Sequence, residues 1–357
     1  MTFSRLQISF LFIIYISISN HVIILPHLLK VAKRDSWICV LIAYAFMLIW
    51  GLMIHITLKR IGNKKLYVWL KERVGKWLSL SIILLFMMLL LMTALISFND
   101  FILTVNIYFL PRTPFIIVSF TFIALCLYGA KSGLKTIVYM CAVLLPIICF
   151  LGVFVALATS SEKTYSYLFP LLMNGLEPIV KGTLIVMGGC VDFLVLLLLQ
   201  HKLKKSFSYK QFFIIITIAI ALTIGPTTGL ITNFGPYIAS SFRFPAFEQW
   251  RLVSLGKTIT HVDFLAIFQL IAGVSIKVAL CIFLIGDLME TKSNITKNVL
   301  FLLTPLLLFG FTMLPISDIT MEAFLDNFLY AGWFPFGFIL SLLVFGISFL
   351  RIRREEG

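Results

Sequence analysis

Ten apolar runs, each of roughly the 20 residues a bilayer requires, decide what this chain can fold into. They fall at about 6–29, 37–58, 78–103, 114–130, 136–158, 178–200, 210–233, 263–288, 297–316 and 330–350. The runs are continuous and do not alternate, which excludes a transmembrane β-barrel. A water-soluble domain needs polar faces to cover its core, and a chain 61% hydrophobic and 12% charged has too few polar residues to make them. The expected fold class is an all-α polytopic membrane protein of ten transmembrane helices, a single integral membrane domain over 1–357.

The excess of 29 Lys+Arg over 15 Asp+Glu would suggest a nucleic-acid partner in a soluble protein. Here the positive-inside rule accounts for it, and no nucleic acid is expected as a partner. With the N-terminus inside, the inner segments hold 19 basic residues and the outer ones 9, which places both termini in the cytoplasm. Lys30, Lys33 and Arg34 in the first outer loop run against that trend. Arg5 followed by an apolar run imitates a signal peptide, but no small-x-small site follows, so the run is read as the first span. The six cysteines lie in apolar runs without metal-type spacing and read as packing thiols. Two connections carry structure of their own. Gly62 to Trp77 mixes basic residues with Leu66, Val68, Trp69, Leu70 and Val74, and reads as an amphipathic surface helix. Asn233 to Val262 is rich in proline and aromatics, and reads as an outer cap with an interfacial or partly re-entrant helix.

Polar groups at membrane depth mark sites by default. Ser17, Ser19, Asn20 and His21, followed by Pro26, interrupt the first span, because Pro26 offers no N–H to the carbonyl of Val22. The plain alternative is a proline kink with serines bonded to their own helix. In the sixth span, Gly188 and Gly189 precede Cys190, Val191 and Asp192. Paired glycines let backbone open toward a ligand, or let helices pack closely. Lys277, central in the eighth span, can replace a sodium ion, titrate, or simply pair with a buried carboxylate. Thr93 and Ser97 can face a cavity, whereas Asn99 and Asp100 read as the boundary at the outer end of their span. No Cys/His cluster, Walker loop or Gly-x-Ser-x-Gly is present, so no metal, cofactor or enzymatic activity is expected.

The two interruptions lie five spans apart. Corresponding breaks in two halves of a chain point to inverted repeats with a binding site at the midplane. The repeats would be about 6–158 and 178–350. Helix ends exposed at broken helices 1 and 6 would offer N–H groups to a carboxylate and C=O groups to a cation, and an amino acid zwitterion carries both charges.

Over essentially its whole length the chain resembles the B subunits of spore germinant receptors, the GerAB-like proteins of the amino acid–polyamine–organocation (APC) superfamily. The resemblance rests on Ile24-Leu-Pro26, Trp37, and Leu66-Tyr-Val-Trp-Leu-Lys-Glu-Arg-Val-Gly-Lys-Trp77. It continues through Phe169-Pro-Leu-Leu-Met-Asn-Gly-Leu-Glu-Pro178 with Gly182, and Pro245-Ala-Phe-Glu-Gln-Trp-Arg-Leu-Val-Ser-Leu-Gly256. It implies a LeuT-type 5+5 inverted repeat in the inner membrane of an endospore. It also implies assembly with a membrane A subunit and a lipoprotein C subunit, and sensing of a nutrient such as an amino acid. Carried over residue by residue, it places ligand against Ser19 and Asn20 of helix 1, Gly188, Gly189, Cys190 and Val191 of helix 6, Lys277 of helix 8 and Thr93 of helix 3. The chain departs from the pattern at Ser19-Asn20-His21, where glycine is common, and at Thr260-His261 with Asp263, where Glu-Arg is usual. Side chains in place of glycine fill part of the pocket and imply a smaller or different ligand. The same scaffold also suits a proton-coupled amino acid transporter. An enzyme acting on lipid-linked substrates would have to draw on His261, Asp263, Arg251 and Glu248.

Overall fold

The computed structural model describes residues 2–254, 262–288, 294–326 and 330–352. Among them, helices are joined by short turns, and β-pairing is limited to one bridge between Phe3 and Leu203. Helix α1 (Arg5–Ile18) starts where Ser4 and Gln7 cap each other: Ser4 Oγ accepts from the Gln7 N–H at 3.2 Å, and Gln7 Oε1 from the Ser4 N–H at 2.9 Å. A five-residue π turn, Ser19–Ile23, leads into α2 (Ile24–Ala32). After a tight turn at Lys33, whose φ is +46°, the chain folds back as α3 (Ser36–Ile61).

Helix α4 (Leu66–Tyr108) divides at Gly75, whose φ of 82° and ψ of 175° only glycine adopts without strain. The short arm before Gly75 is the expected amphipathic helix, with Leu66, Trp69 and Leu70 buried and Lys71 exposed. Next come α5 (Phe115–Lys131), α6 (Leu134–Ala158) and α7 (Glu177–Gly189). A 3-10 turn, Cys190–Leu194, joins α7 to α8 (Val195–Leu199). Then follow α9 (Tyr209–Phe234), the short α10 (Pro236–Ala239) and α11 (Pro245–Arg251) of the outer segment, and α12 (Phe264–Leu288). The described chain closes with α13 (Asn294–Thr312), α14 (Asp318–Phe324) and α15 (Tyr330–Ile347).

Among the described residues, six helical stretches are long and apolar enough to cross a membrane: 5–61, 66–108, 134–158, 177–202, 209–234 and 264–288. Three shorter apolar helices, 115–131, 298–312 and 332–347, accompany them. The two interrupted segments form the centre of the bundle. Every residue from Ile185 to Gln200 is buried, as is every residue from Leu11 to Ile18. The outer helices turn large apolar side chains such as Phe120, Phe150 and Leu306 outward, as lipid-facing surface does.

Both ends of this core are tied shut. At one end the Phe3 N–H donates to the Lys202 carbonyl at 2.7 Å, and Asp287 of α12 faces Lys65, His201 and Lys202 at 3.3–3.4 Å. At the other, Arg243 donates to both carboxylate oxygens of Asp318 at 3.1 Å and reaches Asp100 at 3.2 Å. Burial works against that guanidinium's charge, but Asp100 and Asp318 outweigh it and hold the proton more firmly than in free arginine. Lys30 and His27 of α2 converge on Asp326 at 2.8 and 2.5 Å, and Lys30 also reaches Glu322 at 3.0 Å. Asp100 thus belongs to an ion cluster at one end of the bundle, eight residues before the end of α4.

Candidate functional site

The interruptions expected at helices 1 and 6 exist, but neither is an unwound break. In the first, the Ile24 N–H bonds the Ser19 carbonyl, an i→i+5 link that keeps the chain helical while absorbing the donor missing at Pro26. In the second, Gly188 and Gly189 stay within the α-helix, and the tightening begins one residue later at Cys190. Open helix ends aimed at a zwitterion are therefore not what these segments present. They present side chains, turned into the core by a locally wide and a locally tight turn. Ser17 follows the plainer expectation, with its hydroxyl donating to the Ile14 carbonyl at 2.8 Å.

The π turn points Ser19 at the two buried charges of the core. Ser19 Oγ donates to Asp192 Oδ2 at 2.7 Å, Lys277 Nζ donates to the same Oδ2 at 2.7 Å, and Lys277 also donates to Ser19 Oγ. The side chains of Lys277 and Asp192 are 0% and 3% exposed. The ammonium lies 4.7 Å from the centre of the Tyr15 ring, whose hydroxyl contacts Cys281 Sγ at 3.7 Å. Three helices are thereby pinned together by one carboxylate. Of the sequence alternatives for Lys277, pairing with an internal carboxylate is the one observed.

Beside this knot is a cavity of about 30 Å³, lined by Ser19, Thr93, Ser97, Gly188, Gly189 and Asp192, with Ile23, Ile24, Ile96 and Trp333 closing it. That volume is on the order of one water molecule. Of the expected site residues, Ser19, Thr93, Gly188 and Gly189 line it together. Asn20, Cys190, Val191 and Lys277 do not. Val191 packs against α15, where a Cβ on Gly337 would lie 2.5 Å from it, and Cys190 is buried. Asn20 sits behind Gly189: a Cβ built there would lie 2.7 Å from Asn20 Oδ1. Asn20 is 0% exposed, and neither its carbonyl nor its amide nitrogen has a hydrogen-bond partner.

Tyr15 and Trp333 were not foreseen. Each is one aromatic in an apolar span, and nothing in the sequence singles it out. Among the residues an enzyme would need, Glu248 is held by Tyr108 at 3.0 Å and Arg251 at 3.1 Å. Thr260 and His261 lie outside the described residues.

A helical integral membrane protein with a buried ion pair and a small cavity beside two irregular helical turns is the class that fold and site define. Within that class the chain belongs to the spore germination protein family, whose model matches residues 2–318. It is 33% identical over 342 residues to Spore germination protein XB of Bacillus anthracis, covering 95% of this chain and 96% of that one. Putative spore germination protein YfkT of Bacillus subtilis (strain 168) is 24% identical over 254 residues, with 71% and 69% covered. Spore germination protein YndE of the same strain is 24% identical over 202 residues, with 56% and 52% covered.

Proposed function

We propose that this chain is the nutrient-sensing membrane subunit of a spore germinant receptor and binds a small ligand such as an amino acid in the cavity beside Ser19. In this reading the nine apolar helical stretches, with 5–61 counted twice for its fold-back at Lys33, make ten crossings in a LeuT-type 5+5 repeat. The protein sits in the inner membrane of the endospore with both termini on the core side, and works with a membrane A subunit and a lipoprotein C subunit.

The observation that carries the reading is the Asn20 amide, fully buried and unpartnered behind a glycine that lines the cavity. An unmet buried polar group costs about 1–3 kcal/mol, so the position favours a ligand that repays it. The cavity is far below the roughly 300 Å³ at which ligand pockets begin, so on this reading the structure is the closed form. Binding must widen it. The π turn offers a route, since returning Ser19–Ile23 to α-helical bonding rotates Ser19 and Asn20 against Gly189, and such turns recur at functional sites.

The test is a thermal-shift panel of amino acids on the purified chain in nanodiscs. Asn20→Leu should melt higher than the parent without ligand, because the unmet amide is gone, and should lose the ligand-induced shift. A ligand shift that survives Asn20→Leu would overturn the assignment. The buried Lys277–Asp192 pair favours one second reading, a proton-coupled amino acid transporter. Gradient-driven uptake into proteoliposomes that is lost in Lys277→Ala would establish it, and no uptake under any gradient would remove it.

A further inference from the structure

A second and larger cavity, about 330 Å³, lies between α6 and α9 and does not touch the Ser19 cavity. Small exposed residues, Cys149, Gly152 and Ala156 on α6 and Ala221 and Gly225 on α9, form part of its walls, and Ile148, Leu222 and, from α11, Trp250 help complete them. A Cβ built on Gly152 or on Gly225 meets nothing within 4 Å, so both glycines border open space. Its inner end reaches Ser17 and His21, on the back of the helix that carries the π turn. Of the polar side chains there, Ser17 bonds the Ile14 carbonyl and Gln269 the Ile148 carbonyl at 2.9 Å, whereas His21 Nδ1 is buried without a partner. A shallower depression of about 390 Å³ shares Val153 and continues the groove past Leu157 to Ser254.

Depth identifies the occupant. Gly152 lies six residues before the end of α6 and Gly225 nine before the end of α9, about 9 and 14 Å along helices rising ~1.5 Å per residue. Both helices are long and apolar enough to cross a membrane, which puts the groove within reach of the hydrocarbon, where an apolar void fills with lipid tails. An acyl chain, one methylene wide, is thin enough to enter a groove bordered by Gly152 and Gly225. At the rim stands Lys163, just past the end of α6, whose ammonium spends one of its three donors on the Ala156 carbonyl at 2.9 Å.

We propose that the groove between α6 and α9 binds one acyl chain of an anionic phospholipid, with the headgroup phosphate at Lys163 and the chain end against Ser17 and His21. Occupancy then bears on the back of the helix whose opposite side carries Ser19, and gives the bilayer a direct contact with the sensing element. The assignment of the groove rests on its own cavity and stands whether or not the Ser19 cavity binds a nutrient.

The test is photo-crosslinking of the full chain in nanodiscs with phosphatidylglycerol carrying a diazirine midway along one chain, read by peptide mass spectrometry. Parallel arms use phosphatidylcholine and a free fatty acid with the same diazirine. Adducts should concentrate on 145–156 and 221–226, severalfold above the lipid-facing helix around Phe120. Gly152→Leu and Gly225→Leu, each entering open space, should keep the parent's thermal midpoint and lose most of that labelling. Lys163→Gln should lower labelling by phosphatidylglycerol and leave phosphatidylcholine unchanged. Uniform labelling of all outward-facing helices, or labelling unaffected by the leucines, would overturn the site. Labelling by the fatty acid alone would overturn the phospholipid assignment. Protection of these peptides in spore membranes, with labelling only in nanodiscs, would mean that a partner helix covers the groove and would equally refute it.

Discussion

Substituting Asp192 by Asn should be the most damaging near-isosteric change available in this protein. Among the described residues the carboxylate is the only anion paired with Lys277 Nζ, at 2.7 Å, in a site where neither side chain is more than 3% exposed. At an effective dielectric of 20, that separation corresponds to about 6 kcal/mol of attraction, much of it offset by the cost of removing both charges from water. Breaking such a pair from one side typically costs ~3–5 kcal/mol, because the remaining charge stays buried without a partner. Replacing both partners by apolar residues of similar volume, Asp192→Leu with Lys277→Met, should restore the loss to within about 1 kcal/mol of the parent. The assay is denaturant-dependent unfolding in one detergent of the parent, Asp192→Leu, Lys277→Met and their double variant, read as a double-mutant cycle, with Asp192→Asn beside them. If the single variants unfold with the parent, or the double variant is as unstable as Asp192→Asn, the ion pair does not pin α1, α7 and α12 and the reasoning fails.

The two adjacent glycines should respond in opposite directions. Gly189→Ala places a Cβ 2.7 Å from Asn20 Oδ1 and 3.2 Å from Ile24, and should destabilise by ~1–3 kcal/mol. Gly188→Ala meets only Trp333 at 3.9 Å and should gain a few tenths to about 1 kcal/mol from helix propensity; unfolding midpoints compare them. The outer clasp should fail only in acid. Burial raises the affinity of Asp326 for its proton, but His27 and Lys30 outweigh it and leave its folded pKa depressed. Its stabilisation is therefore complete above the unfolded value of about 3.9 and lost as pH falls through the folded one. A pH series of thermal midpoints should show Asp326→Asn below the parent at neutral pH, with the two curves meeting in strong acid.

How much of this was legible beforehand differs by level. The apolar runs disclose the helices almost one for one, because twenty apolar residues leave a chain few alternatives. The surface helix before Gly75 was equally visible, since its basic and apolar residues alternate with helical period. The interruptions were located correctly and their form was not. Proline and paired glycines signal a disturbed helix, but a bulge of one residue and an unwound gap have the same composition. Lys277 was visible as an expensive buried cation and Asp192 as an acid in a glycine-rich stretch. Their pairing depends on the packing of α12 against α1 and the 3-10 turn, which no local pattern encodes. Trp333 closes the cavity from a helix far along the chain, and its role is purely geometric.

The central claim, that a nutrient is sensed in the cavity beside Ser19, is tested most directly at Gly188. A side chain there enters the cavity, and its Cβ meets nothing closer than 3.9 Å, so Gly188→Val carries two methyl groups into that space from a Cβ that fits. The measurement is the germination response of spores carrying Gly188→Val across a panel of single amino acids, with the protein quantified in the inner membrane. The account predicts normal protein level and loss of the response to one nutrient class, other receptors continuing to answer theirs. An unchanged response to every nutrient at normal protein level would contradict it.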